Sequence, residues 1–160
     1  TVSVVEIFNE IIRDLLQPDK ENLQLQYTTD EGCIVHGAER RICHDGSEIL
    51  QCINEARDNR RTETFDSGKA IDSCSIIFEI LLNQTVNEDM SDPTVMTSRL
   101  LMVQLPITDK WTEQEEALRV REGATLNRSL VAFRRVSLAL SRQDSVHHAA
   151  FGQSKLTSLL

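Results

Sequence analysis

The sequence predicts a layered α/β domain in which a central sheet is flanked by helices. Three observations lead there. Short β-branched runs alternate along the chain with segments of helical periodicity. Apolar residues make up 40% and charged residues 26%, the proportions of a globular protein. A length of 160 residues is enough for one sizeable core. Aromatics contribute only 4%, so that core must rest on Leu, Ile and Val.

Val2–Phe8 is apolar and β-branched and reads as a buried strand. Ile11, Ile12, Leu15 and Leu16 follow at helical spacing, which predicts a turn or two of helix ended by Pro18. Leu23, Leu25 and Tyr27 alternate as a strand, Asp30-Glu31-Gly32 is a turn, and Cys33–His36 is a second short strand. Asp45 or Ser47 can cap a helix over Glu48–Ala56, whose Ile49, Leu50, Ile53 and Ala56 share a face. Arg57–Lys69 is polar and reads as a loop, Ile76–Leu82 as a strand, and Asn83–Pro93 as an exposed turn. Leu100–Leu105 is another buried strand, stopped by Pro106. Trp111–Glu122 fits helix or ordered loop. From Leu126, the positions Leu126, Leu130, Phe133, Val136 and Leu140 trace an amphipathic helix. A polar loop over Ser141–Gln153 leads to a short last helix at Ser154.

The net charge of −8 is unevenly spread. Residues 1–109 carry 9 Lys/Arg against 20 Asp/Glu, whereas residues 110–160 carry 8 against 5. An acidic body with a basic C-terminal third suggests an acidic partner for that third; a solvated helix face is the plainer reading of charge alone. No run is long and apolar enough to span a bilayer, and no basic-then-apolar secretory signal lies in this stretch. The chain opens inside an apolar run and closes inside a helical pattern, so the expectation is one domain, residues 1–160, truncated at both ends. The four cysteines are expected to be reduced thiols. Cys33, His36, Cys43 and His44 match no standard structural zinc spacing. Cys74 and His147-His148 come with no acid–base set that would make a nucleophilic site.

Several segments, in order, resemble the kinesin motor domain. They are Val2-Ser-Val-Val-Glu-Ile-Phe-Asn-Glu10 with Ile12-Arg-Asp-Leu-Leu16, Asn59-Arg-Arg-Thr62, Ser75-Ile-Ile-Phe78 and Leu101-Met-Val-Gln-Leu105. Glu122-Gly-Ala-Thr-Leu-Asn-Arg-Ser-Leu130 and Ser154-Lys-Leu-Thr157 complete the series. The stretch around the first helix is most similar to chromosome-associated and Hedgehog-pathway kinesins. The resemblance implies the later part of a three-layer, P-loop NTPase-like core, without its first strands and phosphate loop. Gly68-Lys69 does not substitute for that loop, because no glycine lies five residues earlier and Ala70 stands where a hydroxyl is needed.

Two family motifs are altered. The first switch reads Asn-x-x-Ser-Ser-Arg-Ser-His in active members and Gly68-Lys-Ala-Ile-Asp-Ser-Cys-Ser75 here. Ile71 or Asp72 replaces the hydroxyl that approaches magnesium and phosphate, and Ser73 replaces the arginine that bridges the switches. The second switch, Asp-Leu-Ala-Gly-Ser-Glu in the family, is Gln104-Leu-Pro-Ile-Thr-Asp109. Gln104 lacks the carboxylate that acts on the metal shell, and Ile107 replaces the glycine whose amide senses the γ-phosphate. Asp109 keeps an acid without its arginine partner. ATP and magnesium serve active members; neither is expected as a cofactor of this chain, and no catalytic residue is assigned.

By the same resemblance, tubulin is the expected partner. Arg40 and Arg41 fall in a secondary contact loop. Arg128, Arg134 and Arg135 lie along the basic helix, and His148 and Lys155 fall in the last loop and helix. The implied protein is a cytoplasmic, cytoskeleton-associated pseudo-motor or scaffold. An ATP-driven microtubule motor with atypical switches is the alternative. No nucleic-acid or membrane partner is expected, and dimerisation in this family uses coiled coil outside the domain.

Overall fold

The computed structural model describes residues 1–29, 31–60, 63–64, 70–71, 74–86, 94–106, 129–141 and 151–160. The elements are β1 (Val2–Phe8), β2 (Ile11–Asp14), β3 (Gln24–Thr28), β4 (Gly32–His36), α1 (Gly46–Asp58), β5 (Glu63–Thr64), β6 (Ala70–Ile71), β7 (Ser75–Val86) and β8 (Thr94–Gln104). A helix over residues 129–141, here α2, and α3 (Lys155–Ser158) follow. The main sheet is antiparallel in the order β2-β1-β7-β8, with separate two-stranded ribbons β3-β4 and β5-β6.

The side-chain alternation of β1 explains why it reads as a continuous apolar run. Val2 and Val4 face one side and pack with Leu15, Leu16, Ile76 and the α1 residues Cys52 and Ala56. Val5 and Ile7 face the other and pack with Ile12, Cys33, Ile77, Leu156 and Leu159. Both faces are covered, so every position from Val2 to Ile7 is buried, and the pattern of a half-exposed strand is lost. The result is three layers: α1 on one side, the sheet, then the β3-β4 ribbon with α2 and α3 on the other.

The helix expected over residues 9–16 is a β-hairpin instead. Phe8 pairs with Ile11 across a two-residue turn in which Asn9 (φ 50°) and Glu10 (φ 61°) are both left-handed. Such turns match the twist of the flanking strands, and asparagine tolerates that region. Tertiary pairing with β1 overrides the local periodicity, and Leu15 N extends the ladder to Val4 O at 2.9 Å.

Other boundaries also shift. Asp45 caps α1, its side chain accepting from Glu48 N, and α1 runs to Asp58 into what reads as loop. The rest of that expected loop contains β5, and β6 follows directly after it. β7 extends to Val86 and β8 starts at Thr94, because their eleven-position register carries the ladder into the expected turn. Ser141 is helical, and Phe151–Gln153 forms a 3₁₀ turn before the Ser154 cap. On α2 the expected face is inward at Leu130, Phe133 and Val136, with Ala132 buried beside it, whereas Leu140 near the helix end is 49% exposed.

Candidate functional site

Gln104 ends β8, opposite Ile76 of β7. It borders a cavity of about 220 Å³ between sheet and α1, walled by Leu15, Ile53, Ala56 and Phe78 and flanked by Arg57 and Arg60. The position where the resemblance demands a carboxylate is therefore an exposed neutral amide beside two cations. Ile71 lies in β6, in register with Glu63 of β5. Asp72, Ser73, Ile107 and Asp109 lie outside the described residues, as do Arg128 and His148.

Arg40 and Arg41 are engaged within the fold. Arg40 forms a fork with both oxygens of Glu31, at 3.1 and 2.5 Å, and approaches Glu79 at 3.6 Å. Arg99 completes this network: its Nε donates to Glu79 at 2.6 Å, and its terminal nitrogens donate to the carbonyls of Glu31 and Cys33. Together these bonds fasten the β3-β4 ribbon to the β7-β8 hairpin. Arg41 pairs with Glu55 of α1 and donates to Leu16 O at 3.0 Å. Its backbone exchanges hydrogen bonds with Val2 at 2.8 and 2.9 Å.

The basic helix presents a different picture. Arg134 and Arg135 are exposed on α2 and share its outer face with Val131 and Leu138, which are 48% and 44% exposed. Lys155 is half-buried, with Nζ 3.5 Å from Leu23 O. Glu10 joins these helices to the β1-β2 turn. Its carboxylate accepts from Ser129 Oγ at 2.7 Å and from Lys155 N at 2.7 Å. Sequence reasoning missed this role for Glu10, because its partners lie 119 and 145 residues away. The Asn9-Glu10 pair between two apolar runs was the available signal.

A pH response follows from the surface carboxylates. Hydrogen bonding to Arg40 lowers the pKa of Glu31, and hydrogen bonding to Arg41 lowers that of Glu55. The backbone and side chain of His44 lower that of Glu48. A folded-state value below the unfolded one contributes stability that is fully present above the unfolded value and is lost as protons bind. Thermal midpoints are therefore expected to be flat at neutral pH. They should fall as pH drops below the ordinary carboxylate value of 4.5, which circular-dichroism melts at stepped pH would measure.

Cys33 and Cys43, grouped by spacing in the sequence, sit in different clusters on opposite sides of the sheet. Among the described residues, no three His, Cys, Asp or Glu side chains gather as a metal site, and no helix is long and apolar enough to cross a membrane.

Comparison with known proteins places this geometry in context. A family model described as the kinesin motor domain matches residues 1–160. The chain is 28% identical over 163 residues to kinesin-like protein KIN-8B of Arabidopsis thaliana, covering 100% of this chain and 20% of that protein. It is 31% identical over 160 residues to kinesin-like protein KIF19 of Xenopus laevis, covering 99% of this chain and 16% of that one. Among solved structures, it superposes with a TM-score of 0.74 and 26% identity on a fast kinesin whose structure was described for its ATPase mechanism and interactions with microtubules. That match covers 99% of this chain and 44% of the solved chain. The chain thus spans a fifth or less of those two relatives and under half of the solved motor.

Proposed function

Since the chain belongs to the kinesin motor domain family, we propose that it is a microtubule-binding segment whose nucleotide switches no longer sustain ATP turnover, so that it acts as a pseudo-motor or scaffold. The observation that carries this reading is Gln104. A neutral amide ends the strand that supplies a carboxylate to the metal shell in active members, and Arg57 and Arg60 flank the adjoining cavity. A magnesium nucleotide is poorly matched by this set, because the described residues that line the cavity offer the metal no carboxylate. Phosphoryl transfer relies on positioning and charge stabilisation, and removal of one such group commonly costs about a hundred- to a thousandfold in rate. The substitutions at Ile71, Asp72, Ser73 and Ile107 act in the same direction.

The track-facing half of the reading rests on α2. Arg134 and Arg135 are exposed among apolar side chains, a combination suited to an acidic protein surface. Arg128, His148 and Lys155 belong to the same proposed face. Arg40 and Arg41 have a smaller part in it, because Glu31, Glu79 and Glu55 already hold their guanidinium groups. Under this reading the protein is cytoplasmic and cytoskeleton-associated.

Co-sedimentation of the full-length protein with microtubules at two salt concentrations tests the reading. Pelleting is expected to weaken with salt, and an Arg128→Glu/Arg135→Glu variant should bind about tenfold more weakly. Equal pelleting of both proteins overturns the track-facing assignment. In parallel, nucleotide titration and phosphate release are expected to give no microtubule-stimulated turnover. Micromolar ATP binding with stimulated turnover would instead establish the second reading, an ATP-driven microtubule motor with atypical switches. That alternative is favoured by the likeness to a fast kinesin studied for its ATPase mechanism.

A further inference from the structure

Cys43 and Cys52 bring their sulfur atoms to 3.8 Å across the junction between α1 and the segment that precedes it. Cys52 is 4% exposed on the inner face of α1, and Cys43 is half-buried, its thiol 3.9 Å from Arg41 O. Cys33 and Cys74 are buried elsewhere. A disulfide needs a sulfur separation near 2.05 Å, so closure requires a shift of about 1.8 Å, within reach of side-chain rotation and small movement of the preceding segment.

We propose that Cys43 and Cys52 form a redox-modification site at which a peroxide oxidises the pair to a disulfide that locks α1 to the segment carrying Arg41. The chemistry balances in two steps. The Cys43 thiolate attacks the peroxide O–O bond, giving a sulfenic acid and hydroxide, and the hydroxide takes the Cys52 proton. The Cys52 thiolate then attacks the Cys43 sulfur and displaces hydroxide, which recovers from solvent the proton that Cys43 released on ionising and leaves as water. Two thiols lose two electrons, and one hydrogen peroxide becomes two waters. Exposure sets the order, since the half-buried Cys43 meets the oxidant and the buried Cys52 resolves.

The mechanical consequence follows from what the segment already holds. Arg41 bridges the backbone of Val2, the carboxylate of Glu55 and the carbonyl of Leu16. A covalent link nine residues along the chain makes that attachment of helix to sheet permanent until it is reduced. Burial pushes the Cys43 thiol up from its ordinary value, so cross-linking is slow at neutral pH and accelerates in alkali.

The test uses full-length protein treated with hydrogen peroxide, quenched with N-ethylmaleimide, digested without reductant and read by mass spectrometry. The expected product is a Cys43–Cys52 linked peptide pair, lighter by two hydrogens and restored by dithiothreitol. It should be absent from Cys43→Ser and Cys52→Ala. Its rate should rise about tenfold per pH unit while the thiolate fraction is small. Alkylation of both thiols after peroxide treatment of the wild type would overturn the proposal. So would a dimedone-trapped sulfenic acid on Cys43 with Cys52 still a free thiol.

Discussion

Replacing Asp14 with alanine lowers the stability of the fold by about 4 kcal/mol. The Asp14 side chain is fully buried and serves three backbone donors. One oxygen accepts from Leu16 N at 2.8 Å and Gln17 N at 3.0 Å, and the other from Glu39 N at 2.6 Å. The first two close the chain reversal after β2. The third anchors the segment between β4 and α1, 25 residues away. Alanine leaves three amide protons without their acceptor, each costing about 1–3 kcal/mol where water cannot enter. For a chain of this size the thermal midpoint should fall by roughly 10 °C. Asp14→Asn retains one carbonyl oxygen and should fall between wild type and alanine. A wild-type midpoint for Asp14→Ala would mean that water or a neighbour replaces the carboxylate.

Replacing Glu10 with alanine is expected to loosen α3 and the start of α2 while leaving the sheet intact. Both carboxylate oxygens are committed to those helices, through Ser129 and Lys155. Hydrogen bonds to a charged acceptor contribute about 1.5–3 kcal/mol each, less at a half-buried residue such as Glu10, and alanine keeps the left-handed strain of a non-glycine residue, about 1 kcal/mol. A net loss of about 2 kcal/mol should appear locally, as faster amide exchange in residues 129–141 and 155–158 with protection unchanged in β1 and β7. If these helices form the microtubule-facing surface, binding falls in the same variant although no contact residue has been altered. Glu10→Gly separates the two contributions: it loses the hydrogen bonds but relieves the backbone, so it should be less destabilising than alanine. Unchanged exchange in both helices would contradict the anchoring role.

The elements most legible in the sequence were those whose stability is local. Asp45 and the Ile49, Leu50, Ile53, Ala56 spacing specify α1, and Ser154 marks the last helix through a cap that the structure completes with Thr157. β1, β3, β4, the first half of β7 and the last half of β8 are visible as β-branched or alternating runs. The candidate switch positions were legible for another reason: they are departures from a linear motif, and a departure at Gln104 needs no coordinates to be noticed.

Long-range partners decided the rest. Ile11, Ile12, Leu15 and Leu16 satisfy a helix and a strand equally well by period, and only pairing with β1 chooses the strand. The apolar spacing of α2 marks Val136 as inward, and it is buried, yet the same spacing includes Leu140, which is exposed, and omits Ala132, which is buried. Arg40, Arg41, Arg134 and Arg135 are indistinguishable as sequence letters. Carboxylates delivered by distant segments engage the first two, while the last two stand exposed on a helix surface. By itself the sequence determined most of the elements, the family and the altered letters of its switch motifs, because these reside in residue type and spacing. The tertiary structure alone decided which charges face outward and which fasten the fold, because an ion pair depends on separation in space and its partners lie up to tens of residues apart along the chain.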